Sequence, residues 1–196
     1  ISRSREVTSS MVLVSKIERH HRENLINLID EFKKNHDTRM PDMYASGNKQ
    51  QFLLDNIHSD YHLHEDIHRP YITYFYDHVA FEHMNFIGRL LGLETKDCTF
   101  SWEIVRTWFQ QYYEKADHDW HTHPRCNYTN VYFLELPNEK YKTEILDSNG
   151  KLIDYEAQEG DIITFPAGMQ HRSAPNSSER KTVISFNSDY SVERKL

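Results

Sequence analysis

Apolar residues recur at helical spacing in the first half of the chain. Between residues 17 and 35 they fall mainly on one face, which predicts an amphipathic helix that packs on the core. A loop is expected over residues 40–43, because Pro41 cannot continue the helix. A second helix is predicted over residues 66–91, with Pro70 tolerated near its start and Gly92 at its end.

From residue 99 onward, aromatic and β-branched residues replace the helical pattern. Residues 100–109 have the composition of a strand, and five shorter candidates follow at 129–136, 142–146, 151–155, 161–165 and 182–187. Turn-forming Pro, Asn, Ser and Gly residues separate them. Many short strands with regular turns are typical of a jelly roll. We therefore predict an α+β fold, in which the N-terminal helices buttress a jelly-roll sheet.

Length and composition limit the classes of protein. A chain of 196 residues predicts a single domain, with mainly helical support in residues 1–95 and the jelly-roll core in residues 96–190. The net charge of −7 argues against nucleic-acid binding. No apolar run is long enough to span a membrane, and no signal peptide is evident. Two cysteines make no disulfide framework, which favours a reducing, cytoplasmic location.

Three of the 13 histidines have a spacing that favours a metal site. His121 and His123 form a His-x-His pair, and His171 follows 48 residues after His123. On an extended segment the pair points to one side, because strand side chains alternate. A histidine from a neighbouring strand can complete a triangle of ligands, and iron is the predicted metal.

Four other histidines lie close together at His58, His62, His64 and His68. They span a predicted junction between a loop and a helix, and no companion ligand stands out. Solvated or helix-capping roles are favoured there over metal binding.

Residues 100–190 resemble the 2-oxoglutarate- and Fe(II)-dependent oxygenases, specifically their bacterial and phage branch with a His-x-His-Pro motif. The matching segments are His121-Thr122-His123-Pro124, Val131-Tyr132-Phe133-Leu134, Glu159 to Pro166, His171-Arg172 and Lys181 to Asn187. The resemblance implies a double-stranded β-helix, the jelly roll of this family. It also implies Fe(II) and 2-oxoglutarate as cofactors.

The sequence departs from the wider superfamily at the second ligand. The common triad contains two histidines and a carboxylate, and His123 fills the carboxylate position here. Either His121, His123 and His171 form a three-histidine site, which we favour, or Asp119 supplies the carboxylate. Three neutral imidazoles leave the metal charge uncompensated, which is compatible with a dianionic co-substrate.

A second departure concerns the residue that anchors 2-oxoglutarate. The family places a basic residue, commonly Arg, on the strand after the last histidine, and this chain offers Arg180 and Lys181. Adjacent strand residues face opposite ways, so only one can point inward. The Arg180 guanidinium could bind a carboxylate through two parallel hydrogen bonds. Lys181, however, occupies the position at which the family has its basic residue, and we favour Lys181.

Further cavity residues are expected on two strands. Arg106, Trp108 and Gln110 share one face of their strand; Arg106 could contact a substrate or pair with a glutamate, and Gln110 could contact the cofactor. On the next strand Tyr128, Asn130 and Tyr132 could line the cavity, with Tyr132 near the cofactor. For the aromatic residues, core packing is the favoured role.

The resulting hypothesis is an Fe(II)- and 2-oxoglutarate-dependent dioxygenase that hydroxylates a small molecule or a peptide, with prolyl hydroxylation among the family's activities. Two alternatives remain open. One is a cupin-like three-histidine enzyme without 2-oxoglutarate, which is favoured if Arg180 and Lys181 both point to solvent. The other is a non-catalytic jelly-roll binding protein. A homodimer is compatible with each of these hypotheses. No Gly-rich phosphate loop or nucleophile elbow is present.

Overall fold

The computed structural model describes residues 12–17, 19–41 and 53–195. These residues form ten strands and three α-helices, together with a π-helical turn at Tyr76–Ala80 and a 3₁₀ turn at Glu139–Tyr141. The helices are α1 (Arg22–Asn35), α2 (Pro70–Phe75) and α3 (Phe81–Leu90). The strands are β1 (Leu13–Lys16), β2 (Arg39–Pro41), β3 (Leu53–Ser59), β4 (Cys98–Tyr112), β5 (His118–His121), β6 (Tyr128–Glu135), β7 (Glu144–Ile145), β8 (Asp161–Pro166), β9 (His171–Ser173) and β10 (Lys181–Arg194).

The strands form two antiparallel sheets, one large and one small. The large sheet has seven strands in the order β1-β8-β6-β10-β4-β3-β2, and the small sheet has the order β5-β9-β7. The longest pairing joins β10 to β4 and places Lys181 opposite Tyr112 and Asn187 opposite Arg106. This arrangement confirms the predicted α+β jelly roll.

Two hydrophobic clusters lie on opposite faces of the large sheet. The inner cluster fills the space between the sheets with Val131, Phe133 and Val183, among others. The outer cluster joins the large sheet to the helices, and Leu25, Ile29 and Phe32 contribute from α1. Alternate residues of one strand therefore serve different layers. The predicted helical buttress is confirmed.

The N-terminal half contains more strand than the sequence predicted. The predicted helix at 17–35 begins only at Arg22, and the one at 66–91 begins at Pro70 and contains the π-helical turn. The predicted loop at 40–43 is partly wrong, because Met40 and Pro41 belong to β2, while residues 42–43 lie outside the described part. Strands β1, β2 and β3 lie toward or at the edges of the large sheet, and their short apolar runs gave no clear period.

In the second half, one predicted strand is wrong and two are longer than expected. Residues 151–155 make a single bridge from Leu152 to Leu146 instead of a strand. The Tyr155 hydroxyl donates to the Thr143 carbonyl oxygen, and both residues are buried, which holds this segment irregularly against the core. Strands β4 and β10 both continue well beyond the predicted limits, because they pair with each other along almost their whole length.

A buried carboxylate connects β4 to the loop before α2. Asp60 accepts hydrogen bonds from Phe109 N–H at 3.0 Å, Arg69 Nε at 2.7 Å and the Tyr71 hydroxyl at 2.6 Å. Its side chain has no solvent exposure, and that of Arg69 is 10 % exposed. Removal of one partner leaves the others buried and unpaired.

We therefore expect Asp60→Ala to lower the free energy of unfolding by about 3–5 kcal/mol, as measured by urea denaturation. The control is Asp66→Ala, whose side chain is 91 % exposed and which should change little. Equal stability of the two variants would contradict a structural role for Asp60.

Candidate metal centre

The three predicted metal ligands meet at one end of the small sheet. His121 and His171 are directly paired between β5 and β9. His123 follows β5, and its backbone N–H donates to the Ala167 carbonyl oxygen at 3.0 Å, which fixes it beside the turn before β9. One ligand atom from each of the three histidines lies within 4.8 Å of the others, as a metal ion requires.

Each of these imidazoles is held through its Nδ1 atom. His121 Nδ1 lies 2.7 Å from the Asp119 carbonyl oxygen, and His171 Nδ1 lies 3.0 Å from the Met169 carbonyl oxygen. A carbonyl oxygen can only accept, so each Nδ1 carries the hydrogen. His123 Nδ1 is likewise 2.9 Å from Asn187 Oδ1. The three Nε2 atoms are therefore left with free lone pairs, as in metal sites whose ligands are oriented by neighbouring acceptors.

Two of the Nε2 atoms are so close that a cation between them is favoured. His123 Nε2 and His171 Nε2 are 3.2 Å apart. With both Nδ1 atoms protonated, two lone pairs face each other across this distance. A cation between them removes the repulsion, so the donor set fits a metal ion.

Burial keeps the cluster in its neutral, metal-binding form. Burial, with the neighbouring His121, lowers the pKa of His123 to about 4 and that of His171 to about 3. The pKa of His121 is also lowered by burial. Metal affinity at neutral pH is therefore not reduced by competition with protons.

Asp119, the alternative carboxylate ligand, lies outside this cluster. It is exposed, and its carboxylate accepts from the Trp120 N–H at 2.7 Å. Only its backbone carbonyl contacts the site, through His121. The geometry thus favours three histidines over a site that includes Asp119.

Lys181 and Arg180 point to opposite sides of the large sheet. The Arg180 guanidinium makes two hydrogen bonds to Glu135, at 2.7 and 2.9 Å, and lies 3.4 Å from Asp30 on α1. Lys181 is 1 % exposed and points into the cavity between the sheets, where its Nζ donates to Ser173 Oγ at 2.8 Å and lies over the Tyr112 ring.

Lys181 is a buried cation without a matching anion. No carboxylate forms a salt bridge with it in the ranges that the structure describes. Burial lowers its pKa to about 7. Such a group costs free energy unless a ligand compensates it, so its position indicates an anionic ligand.

The cavity combines the histidines, Lys181 and alternate residues of the central strands. It is narrow and reaches from the histidine cluster to Lys181. Gln110 lies in its wall as predicted, with Nε2 3.4 Å from His118 Nδ1. Residues that share this cavity include Trp108, Gln110, Tyr112, Thr129, Val131 and Val183.

Tyr132 and Asn130 do not line this cavity, so the cofactor contact predicted for Tyr132 is wrong, whereas core packing, the role favoured for the aromatic residues, holds for Tyr132. Both are buried on the helix side of β6, because Thr129, Val131 and Phe133 occupy the inner face. The Tyr132 hydroxyl lies 2.7 Å from His20 Nδ1, and Asn130 Nδ2 donates to Ser188 Oγ at 2.9 Å. Tyr128, in the same strand phase, packs edge-on against Tyr190 and is not among the cavity residues.

Two residues near the metal ligands were not predicted. His118 stacks on His121 with ring centroids 4.0 Å apart, and burial lowers its pKa to about 3. Asn187 holds His123. The signal for His118 was its place three residues before His121, but a strand was not predicted there.

The group at His62, His64 and His68 is exposed, and the metal cluster contains none of these residues.

Comparison with solved structures shows a shared fold. A 2OG-Fe(II) oxygenase family protein from Burkholderia pseudomallei superposes with a TM-score of 0.65 and 10% identity, covering 92% of this chain and 85% of that chain. A Trichoplax adhaerens prolyl hydroxylase in complex with a hypoxia inducible factor peptide fragment gives 0.61 and 10%, covering 92% and 84%. A Pseudomonas putida prolyl-4-hydroxylase gives 0.54 and 14%, covering 91% and 92%.

These likenesses establish that the chain has the jelly-roll fold of the 2OG-Fe(II) oxygenases. At sequence level, no family model and no curated protein matches. Among the described residues, no helix has the length and hydropathy of a membrane span.

Proposed function

We propose that this chain is an Fe(II)- and 2-oxoglutarate-dependent dioxygenase that hydroxylates a small molecule or a peptide. The observation that carries the proposal is the pairing, in one cavity, of three converging histidine Nε2 atoms with the buried Lys181 ammonium. The fold shared with 2OG-Fe(II) oxygenases supports it. The peptide bound to the Trichoplax adhaerens neighbour supports a peptide as one substrate class.

The residues fit the charges of both proposed cofactors. Three neutral imidazoles from His121, His123 and His171 would hold Fe(II) without neutralising it, so a dianion is the natural companion ligand. Lys181, with Ser173 beside it, would bind the carboxylate of 2-oxoglutarate that lies farther from the metal. When bound, Fe(II) and 2-oxoglutarate supply the O2-dependent oxidation of a substrate C–H bond, with succinate and CO2 as co-products.

The protein's own contribution is orientation and exclusion of water. Asn187 and the Asp119 and Met169 carbonyl oxygens keep each imidazole in one tautomer and one direction. Val131 and Val183 contribute apolar surface to the cavity wall. A dry wall strengthens the interaction of Lys181 with a carboxylate, since less water screens the charges.

The cupin-like alternative without 2-oxoglutarate was favoured if both basic residues pointed to solvent. Arg180 is paired with Glu135, and Lys181 points into the cavity. The condition for that alternative is not met.

A thermal-shift series tests the proposal with the air-stable ion Mn(II) in place of Fe(II). Mn(II) alone should raise the Tm, and 2-oxoglutarate should raise it further, by about 5 °C or more at saturation, only when Mn(II) is present. Two fragments of 2-oxoglutarate serve as controls. Pyruvate has the metal-chelating end alone and glutarate lacks the keto group, so each should raise the Tm far less than 2-oxoglutarate does. A shift with Mn(II) but none with 2-oxoglutarate would contradict the proposal.

The lowered pKa of Lys181 predicts that 2-oxoglutarate binding depends on pH. Burial brings this pKa to about 7, so the free protein loses the ammonium charge above pH 7. The bound carboxylate requires that charge, so affinity is greatest below pH 7 and falls as pH rises. The neighbouring His118 and Tyr112 titrate outside this window, since their pKa values are lowered and raised respectively by burial.

Between pH 6 and pH 8 we expect the Kd for 2-oxoglutarate to rise roughly tenfold, as measured by calorimetry on Mn(II)-loaded protein. Lys181→Arg is the control, because a guanidinium stays charged throughout. A wild-type Kd that does not change with pH would show that Lys181 is not the anchor.

A further inference from the structure

A continuous stack of side chains leads from the metal ligands to the protein surface. The Trp108 ring lies on His123, with centroids 5.4 Å apart and an angle of 18° between planes. Tyr61 meets Trp108 edge to face at 5.1 Å, and the Arg106 guanidinium lies 3.9 Å from the centre of the Tyr61 ring. Trp108 is buried, Arg106 is half-buried and Tyr61 is 45% exposed, so the stack crosses from cavity to solvent.

The strand geometry places Arg106 beside the site. It lies two residues before Trp108 on the same face of β4, which separates their Cα atoms by about 7 Å. Across the sheet it is paired with Asn187, the residue that holds His123. A group bound by Arg106 would thus lie close to the metal ligands but outside the cavity that contains Lys181.

Most of the hydrogen-bonding capacity of Arg106 is unused. A guanidinium has five N–H donors. In the described part of the chain, Arg106 makes one hydrogen bond, from Nη2 to the Tyr61 carbonyl oxygen at 2.6 Å, and no salt bridge. The other arginine near the cavity, Arg172, differs because it is paired with Glu144 at 2.6 Å while it lies over Trp120.

We infer that the substrate carries an anionic group, a carboxylate or a phosphate, that binds to Arg106 while the rest of the molecule lies over Tyr61 and points toward the metal. This inference rests on the proposed dioxygenase function. The free N–H groups of Arg106 suit two parallel hydrogen bonds to such an anion, and the exposed Tyr61 ring offers an apolar surface for the rest of the substrate. Beyond the pair of Ile104 and Ser188, Glu103 is paired with Asp189, and this acidic pair would discourage an anion from binding farther out.

The test compares two pairs of probes on protein saturated with Mn(II) and 2-oxoglutarate. Hippurate is compared with its neutral amide, and benzyl phosphate with benzyl alcohol, with Kd measured by calorimetry. We expect at least one anionic probe to bind about tenfold more tightly than its neutral partner; the pair that responds distinguishes carboxylate from phosphate. This preference should vanish in Arg106→Gln, persist in part in Arg106→Lys, and be unchanged in Arg89→Gln, a variant of an exposed residue on α3.

Two results would overturn the inference. One is that neither anionic probe binds more tightly than its neutral partner in the wild type. The other is a preference that persists fully in Arg106→Gln, because the anion would then bind elsewhere. The Mn(II)-dependent stabilisation by 2-oxoglutarate is measured on the same wild-type sample. Its absence would count against the proposed function, whereas its presence without anion preference would count against Arg106 alone.

Discussion

His171→Ala should abolish tight Fe(II) binding, with a Kd at least about 100-fold higher than that of the wild type. The side chain supplies one of three ligands, and it is buried at the point where β9 meets β5. Its loss leaves two imidazoles and an opened cavity. Anaerobic calorimetry or equilibrium dialysis with Fe(II) measures the change.

His64→Ala is the matched control, because it removes an exposed imidazole outside the cluster. It should leave the Kd for Fe(II) unchanged. If His171→Ala retained wild-type affinity, the ion would bind elsewhere and the three-histidine site would be wrong.

Lys181→Met should raise the Kd for 2-oxoglutarate about 100-fold, while the affinity for the metal stays the same. The buried ammonium would make a charge-assisted hydrogen bond that water screens little, and Met preserves length without charge. The variant should also fold, since Met removes the cost of burying a cation whose only hydrogen bond in the described structure is to Ser173. Calorimetry with 2-oxoglutarate on Mn(II)-loaded protein gives the affinity.

The neighbouring residue provides the control for this variant. Arg180→Gln breaks the hydrogen bonds to Glu135, so it should lower the Tm. It should leave the Kd for 2-oxoglutarate unchanged, because Arg180 points to the helix side of the sheet. If the effects of the two variants on 2-oxoglutarate binding were exchanged, Arg180 would be the anchor and the assignment of Lys181 would be wrong.

Strand alternation made much of the cavity predictable. Trp108 and Gln110 were placed on one face of β4, and both lie in the cavity. The same alternation allowed only one of Arg180 and Lys181 to point inward, and the resemblance to the oxygenases, which places their basic residue at Lys181, favoured Lys181. The spacing of His121 and His123, together with the later His171, also anticipated the cluster, although the strands β5 and β9 that carry these ligands were not predicted.

Strand alternation did not predict which residues of β6 face the cavity. Residues 131–134 are an unbroken run of apolar and aromatic residues, because both faces of β6 are buried. Such a run carries no alternation, so the sequence did not show which residues of β6 face the cavity. The short strands β1, β2, β5 and β9 were missed for a related reason, since three or four residues are too few to show a period.

The most direct test of the central claim is an anaerobic titration of the wild-type protein with Fe(II) and 2-oxoglutarate, monitored in the visible range. We predict a weak metal-to-ligand charge-transfer band that requires both additions and is absent from His171→Ala. Fe(II) binding without a response to 2-oxoglutarate would contradict the role assigned to Lys181. No Fe(II) binding at all would contradict the proposed dioxygenase function.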